Sequence, residues 1–396
     1  MEKSYREEVD EQRYRLAQKR HKILMVLIYA GCVAVTVGIF VIIIYGYVNK
    51  KYDAFETVSS VERTDSNTVR YISYDDKLLK YSRDGASAID AKGTALWNGS
   101  YDMDNPKADV CGKYAVIADI DKKEAYVYNG SDSGTLIETT KNIIQARVAK
   151  QGVTALLLED SDSNVISLYN PYELTETLIA EIPTNVTDGF PVDFALSPDG
   201  KSIVAAYVCV TSGVVESKVA FYNFSKVGQD RDCLVSGETY KDVIISKIEF
   251  LSDDAVCIFS DKGYSVWDNL KQPSKVCEKT FEDEIRSVFY TDKYVGFVFD
   301  NFSEEATYTL QVFDLSGKEV LNKSVDFDYD TIKMSGKEII MYSRQDCMIV
   351  RVNGVVKLNC SFDSAVEDIF PTAKSNHYYL LEGNKIGQVK LTKHKS

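Results

Sequence analysis

The hydrophobic and polar positions divide the chain into two unlike parts. Ile23 to Val48 is a run of twenty-six residues without a charge, ILMVLIYAGCVAVTVGIFVIIIYGYV. A bilayer core of about 30 Å needs roughly 20 helical residues, so this run is predicted to span a membrane. It is too long for the apolar core of a cleavable signal peptide, and Asn49, Lys50 and Lys51 follow it rather than a small-residue cleavage site. From Phe55 onward the pattern changes to short stretches rich in Val, Ile, Tyr and Phe, each closed by turn chemistry such as RDG (83–85), SPDGK (197–201), DKG (261–263) and LSGK (315–318). Asp and Asn tolerate left-handed backbone and Gly adopts it without steric cost, so these clusters predict hairpin after hairpin.

Aligned, the hairpins repeat. Candidate innermost strands begin near Val69, Lys107, Ile143, Pro191, Ile244, Ile285, Tyr329 and Ala365, at an average spacing of about 42 residues. Four short strands at that period are one propeller blade, which cannot bury its own faces and must stack radially with its neighbours. The prediction is all-β: a β-propeller of eight blades, with seven as the alternative. The last unit (EDIFP, HYYLLEG, KIGQVKL) is one strand short, and FETVSSV at 55–61 precedes the first unit with no partner. Pairing the two would close the ring and hide both edges. The predicted organisation is therefore a helical segment at 1–22, a transmembrane signal-anchor at 23–48, a short stalk at 49–54 and the propeller at 55–396.

Charge adds topology. Arg13, Arg15, Lys19, Arg20 and Lys22 precede the apolar run, and the positive-inside rule then places residues 1–22 in the cytoplasm and the propeller outside a plasma membrane. The first 22 residues carry net +2, leaving −15 of the total −13 for the remainder. So acidic a chain is not expected to bind nucleic acid. Seven cysteines follow the membrane run, without CxxC spacing and mostly inside apolar strands, where buried thiols are expected.

Candidate chemistry is sparse. Asp160, Asp162 and Asn164 have the opening of a calcium loop, yet Val165 replaces its glycine and Pro171 stands where its bidentate acid would be. Asp326, Asp328 and Asp330 alternate in VDFDYD, so a strand would turn all three to one face, as a weak cation site or as charge guarding an edge. Glu282, Asp283 and Glu284 form a similar rim cluster. Three histidines, two of them near the chain ends, and no G-x-S-x-G leave little material for nucleophilic catalysis, so neither enzyme activity nor a cofactor is expected. Tyrosine is the residue with a binding character, and Tyr169, Tyr172, Tyr222 and Tyr240 are the binding-surface candidates. The two longest repeat units, starting at Ile143 and Pro191, place extra residues near 170–190 and 225–243, where binding is expected to concentrate.

Several segments carry a family likeness. FALSPDGKSIVAAY (194–207) looks like the strand-turn-strand of WD40-like propellers, and SGVVESKVAFYNFSKVGQDRDCLVSG (212–237), with its FYNF and VGQ, is more specific. With the N-terminal anchor, these resemble an uncharacterised family of bacterial membrane-anchored proteins, domain of unknown function 5711. The resemblance implies a single-pass anchor and a propeller-like ectodomain at a cell envelope, and no activity. The expected role is a non-catalytic protein-interaction or scaffold module for an envelope protein. The alternatives are recognition of a glycan or small ligand in the propeller funnel, and an envelope-polymer hydrolase using rim carboxylates.

Overall fold

The computed structural model describes residues 2–393 apart from 64–67, 91, 132–133, 160–162, 174–176, 185–188, 212 and 229–231; within the N-terminal helix, side chains are described from residue 13 onward. The chain forms two units, residues 1–51 and 52–396.

The first unit is one uninterrupted helix, α1, Glu2–Val48. From Arg13 to Val48 it is long and apolar enough to cross a membrane, and none of its apolar stretch is covered by protein. An all-round apolar surface suits lipid rather than water. Its polar groups are satisfied within the helix: the Thr36 hydroxyl donates to the carbonyls of Cys32 (3.0 Å) and Val33 (2.8 Å), as hydrocarbon surroundings require. The Asn49 amide caps the last turn by donating to the Tyr45 carbonyl at 3.0 Å.

The second unit is an eight-bladed β-propeller of four-stranded antiparallel sheets. The innermost strands are Arg70–Tyr74, Pro106–Cys111, Ile143–Val148, Phe190–Leu196, Ile245–Phe250, Ile285–Tyr290, Thr331–Ser335 and Val366–Pro371, for blades 1 to 8. Each begins within two residues of its expected start. The ring closes as the orphan strand demanded: Ala54–Glu62 pairs antiparallel with Lys385–Thr392 and becomes the outermost strand of blade 8. The chain arrives through Tyr52, whose N–H donates to the Lys357 carbonyl at 2.7 Å. All innermost strands start on one face of the disc, called here the upper face, and end on the lower face, where Tyr52 and Ala54 lie.

Every interface between blades has its own apolar cluster. Each sheet buries its apolar faces against its neighbours, so a single blade would leave them in water. The turn chemistry is visible at SPDGK. The Ser197 hydroxyl accepts from the N–H groups of Lys201 (3.1 Å) and Ser202 (2.9 Å), and Gly200 sits at φ +68°, where a Cβ would collide with the Gln151 side chain. Cys257 and Cys347 are fully buried thiols, and burial pushes both well up. No disulfide is present among the described residues.

Candidate functional site

Blades are wedges, so gaps between them widen outward and must be filled by side chains of the outer strands. Between blades 3 and 4 they are not. On one side stands the outermost strand of blade 3, Leu178–Thr184, with Ala180 and Ile182 turned toward the gap. On the other stand Val214–Asn223 and Leu234–Lys241 of blade 4, contributing Ala220 and Gly237. These small side chains leave an open cleft of about 650 Å³, within the size range of ligand pockets. Its floor holds Tyr207 and Tyr222, whose hydroxyls are 3.5 Å apart. Lys218 and Glu181 line its middle, and Asp232, Leu234 and Glu238 its outer part.

Local sequence builds both walls. Asn223, nearly fully buried, donates from its amide to the Ser202 hydroxyl (3.0 Å) and accepts from the Ser225 N–H (3.0 Å). Gly228 lies so close to the Asn223 carbonyl that any side chain would overlap it, and the Cys233 N–H donates back to the Gly228 carbonyl at 3.0 Å. Asn223 of FYNF and Gly228 of VGQ thus fix the backbone next to Cys233, from which Leu234 enters the cleft. In blade 3, the Thr184 hydroxyl donates to the Asn164 carbonyl (2.7 Å) and accepts from its N–H (3.1 Å), fixing the end of the opposite wall.

The sequence candidates scatter. Tyr222 lines the cleft. Tyr240, on the same blade, faces the other way: its hydroxyl is 3.3 Å from Ser265 and Lys275 lies over its ring. Tyr169 is half-buried against the cluster between blades 2 and 3, and burial raises its hydroxyl pKa. Tyr172 lies on the lower face with its ring edge against Tyr114 and its hydroxyl 3.4 Å from the Val127 carbonyl; burial pushes it up to about 12. The two long units border one common cleft, through residues 181–184 and 232–239.

The acidic candidates take other positions. Asp160 and Asp162 lie outside the described residues, and Asn164 serves the Thr184 contact. Asp326, Asp328 and Asp330 are not in a strand: the ladder stops at Val325, and 326–330 crosses from the outer edge of blade 6 to the core of blade 7, where the Asp330 N–H donates to the Tyr342 carbonyl at 3.0 Å. Exposure still alternates, with Phe327 buried and the three carboxylates outward. Asp326 accepts from the Thr307 hydroxyl at 2.8 Å. No group of three potential metal ligands comes together among the described residues. His377 opens a strand, its Nδ1 2.9 Å from the Ser375 carbonyl.

One polar system escaped the sequence reading. In five innermost strands a bulge follows the first or second residue, and the next paired positions are Gln145, Asp193, Lys247, Ser287 and Asp368. Bulges re-aim side chains, and here they stitch neighbouring blades at the centre. Asp193 accepts from the Gln145 amide (2.7 Å) in blade 3 and from the Ile248 N–H (2.7 Å) in blade 5. Lys247 donates to the Tyr290 hydroxyl (2.7 Å), which donates to Glu249 (2.8 Å). In blade 2, Asp109 accepts from the Val148 N–H at 2.8 Å. Desolvation pushes its carboxyl up to about 6, against the opposing pull of Arg147. Polar residues in apolar innermost strands were the available signal.

The pattern of a family described as a family of unknown function, DUF5711, matches residues 48–391. No curated protein matches the sequence. Among solved structures, the chain is similar to BamB from Moraxella catarrhalis, at 10% identity and TM-score 0.52, over 85% of this chain and 100% of that one. It is likewise similar to the Dos1 propeller, at 10% identity and TM-score 0.53, over 87% and 96%. At such identities the likeness shows the fold alone.

Proposed function

The chain belongs to the DUF5711 family, and from that premise we propose that it is a membrane-anchored propeller acting as a non-catalytic protein-interaction or scaffold module. Helix α1 is the anchor, and the basic residues from Arg13 to Lys22 favour an N-terminus in the cytoplasm and a propeller outside, at the cell envelope. The carrying observation is the cleft between blades 3 and 4, bounded by both long repeat units and floored by a tyrosine pair. Its shape suits an extended segment of a partner protein, with Leu234 and Ile182 as apolar contacts and Lys218, Glu181 and Asp232 available for polar recognition. Tyrosine offers rigid contact area with a polar tip, at little entropic cost.

The test is a benzoylphenylalanine photo-cross-linker in place of Leu234, in the full-length chain in its native membrane. A reproducible adduct with one partner protein, absent when the probe replaces exposed Val276 on blade 5, supports the reading. Adducts with glycan alone, or within the chain alone, overturn it.

A further inference from the structure

The upper and lower faces of the propeller differ in length of structure, in apolar exposure and in charge. In blades 1, 2, 3, 5 and 7 the second and third strands are five or six residues long. In blade 4 they are Ser202–Thr211 and Val214–Asn223, ten residues each, and in blade 6 Tyr294–Ser303 and Ala306–Asp314. The surplus lies on the upper face. Cys209↔Glu216 and Val210↔Val215 pair beyond Phe190, where the innermost strand of blade 4 begins. Ser303↔Ala306 likewise pairs beyond Ile285 in blade 6.

Both projecting hairpins carry apolar side chains into solvent. Phe302 is 98% exposed, Val210 70% and Phe190 68%. In blade 4, Phe190 pairs with Val208, so alternation along the strand puts Phe190 and Val210 on one face of the sheet. An exposed phenylalanine at a hairpin tip has no use in the propeller's own packing, and clustered apolar exposure marks interaction sites.

Charge specifies the occupant. Along the lower face, turn acids and bases occur in near-equal numbers and pair locally, as in Lys150–Asp253 (3.3 Å) and Lys201–Asp199 (3.1 Å). Along the upper face acids predominate, most of all around blade 6. Glu282, Asp283 and Glu284 flank its hairpin on one side. Asp326, Asp328 and Asp330 flank it on the other, and Glu304 and Glu305 form its turn, all exposed. The two acidic runs noted in the sequence thus stand on either side of Phe302.

We infer that the upper face of blades 4 to 6 is a docking surface for a partner protein whose apolar contact is flanked by lysine or arginine residues. The apolar part meets Phe190, Val210 and Phe302, and the cations meet the carboxylates around blade 6. Like charge disfavours a second copy of this chain and an anionic lipid surface alike. The inference does not depend on the blade 3–4 cleft, whose walls are formed by other residues.

The test places a benzoylphenylalanine photo-cross-linker at position 302, and separately at 210, in the full-length chain in its native membrane. The expected adduct joins a partner peptide rich in Lys or Arg. Its yield falls about fivefold or more in the quadruple variant Glu304→Gln, Glu305→Gln, Asp328→Asn, Asp330→Asn, and also on raising salt from 0.05 to about 0.5 M. The variant's melting temperature, and the adducts from position 234, are expected to stay unchanged. Adducts confined to lipid or to the chain itself, the absence of any adduct from both positions, or a yield indifferent to the variant and to salt would each overturn the inference.

Discussion

The gap between blades 5 and 6 and the gap between blades 3 and 4 solve the same geometric problem in opposite ways. In the first, Tyr264, Phe281, Phe297, Phe299 and Phe313 fill the widening wedge. Ring centroids lie 5.0 Å apart for Tyr264–Phe297 and 4.8 Å for Phe281–Phe297, and Lys279 closes the stack 4.1 Å above Phe313. In the second, Ala180, Ala220 and Gly237 stand at the gap, and the wedge stays open. The inner halves are alike: Leu157, Phe194 and Ala205 are as buried as Cys257, Val295 and Phe259. Ring closure thus rests on the inner strands, and the outer strands are free to be either filler or site.

The largest expected effect is on the filled gap. Phe297→Ala removes a fully buried ring shared by several aromatic neighbours and should cost about 3–5 kcal/mol, read as a lower denaturation midpoint. A cost below about 1 kcal/mol would mean that this stack fills space without holding the ring together.

Next is the stitch that holds blades 3, 4 and 5 at the centre. Asp193→Ala strips the acceptor from the Ile248 N–H and from Gln145, leaving buried groups unpaired. It should cost about 2–3 kcal/mol. Since the outer part of the blade 3–4 gap lacks filler, amide exchange should accelerate more along 178–184 than along 274–280. Equal acceleration would remove the distinction between the gaps.

A smaller effect comes from Asp109, whose carboxyl is pushed up to about 6 in the fold from an unfolded value near about 3.9. A carboxyl raised on folding favours the native state below its unfolded pKa, and that contribution is lost as pH climbs through the folded value. Stability should therefore decline between about pH 4 and 6 on this account, and Asp109→Asn should flatten the decline and add about 1 kcal/mol at pH 7. Comparing urea midpoints at pH 4.5 and 7 for both proteins checks this.

The propeller was legible because its signals are local. Alternation, turn residues and a period near 42 residues located every innermost strand, and the orphan strand 55–61 identified its own partner in blade 8. The cleft was only half legible. Long repeat units marked its two walls, but that they face each other is a relation between blades. Tyr222 and Tyr240 illustrate the limit: eighteen residues apart on one blade, they point into different gaps because strand alternation sends their side chains to opposite faces of the sheet. Asp326, Asp328 and Asp330 show the converse error, since alternation in sequence also describes an extended crossing with no ladder. The central stitches were marked by polar residues in apolar innermost strands, but a bulge shifts register by one, and that shift decides which neighbour those side chains meet.

The smallest expected change in stability carries the most direct test. Ala220→Leu extends a side chain into the open cleft and should shift stability by less than about 1 kcal/mol, since the space is there to receive it. Combined with the photo-cross-linker at position 234 in the full-length chain, the variant should lose the partner adduct seen with Ala220 while keeping its melting temperature within a few degrees. An adduct of undiminished yield from the filled cleft would contradict the account, because the gap left open between blades 3 and 4 would then not be where the partner binds.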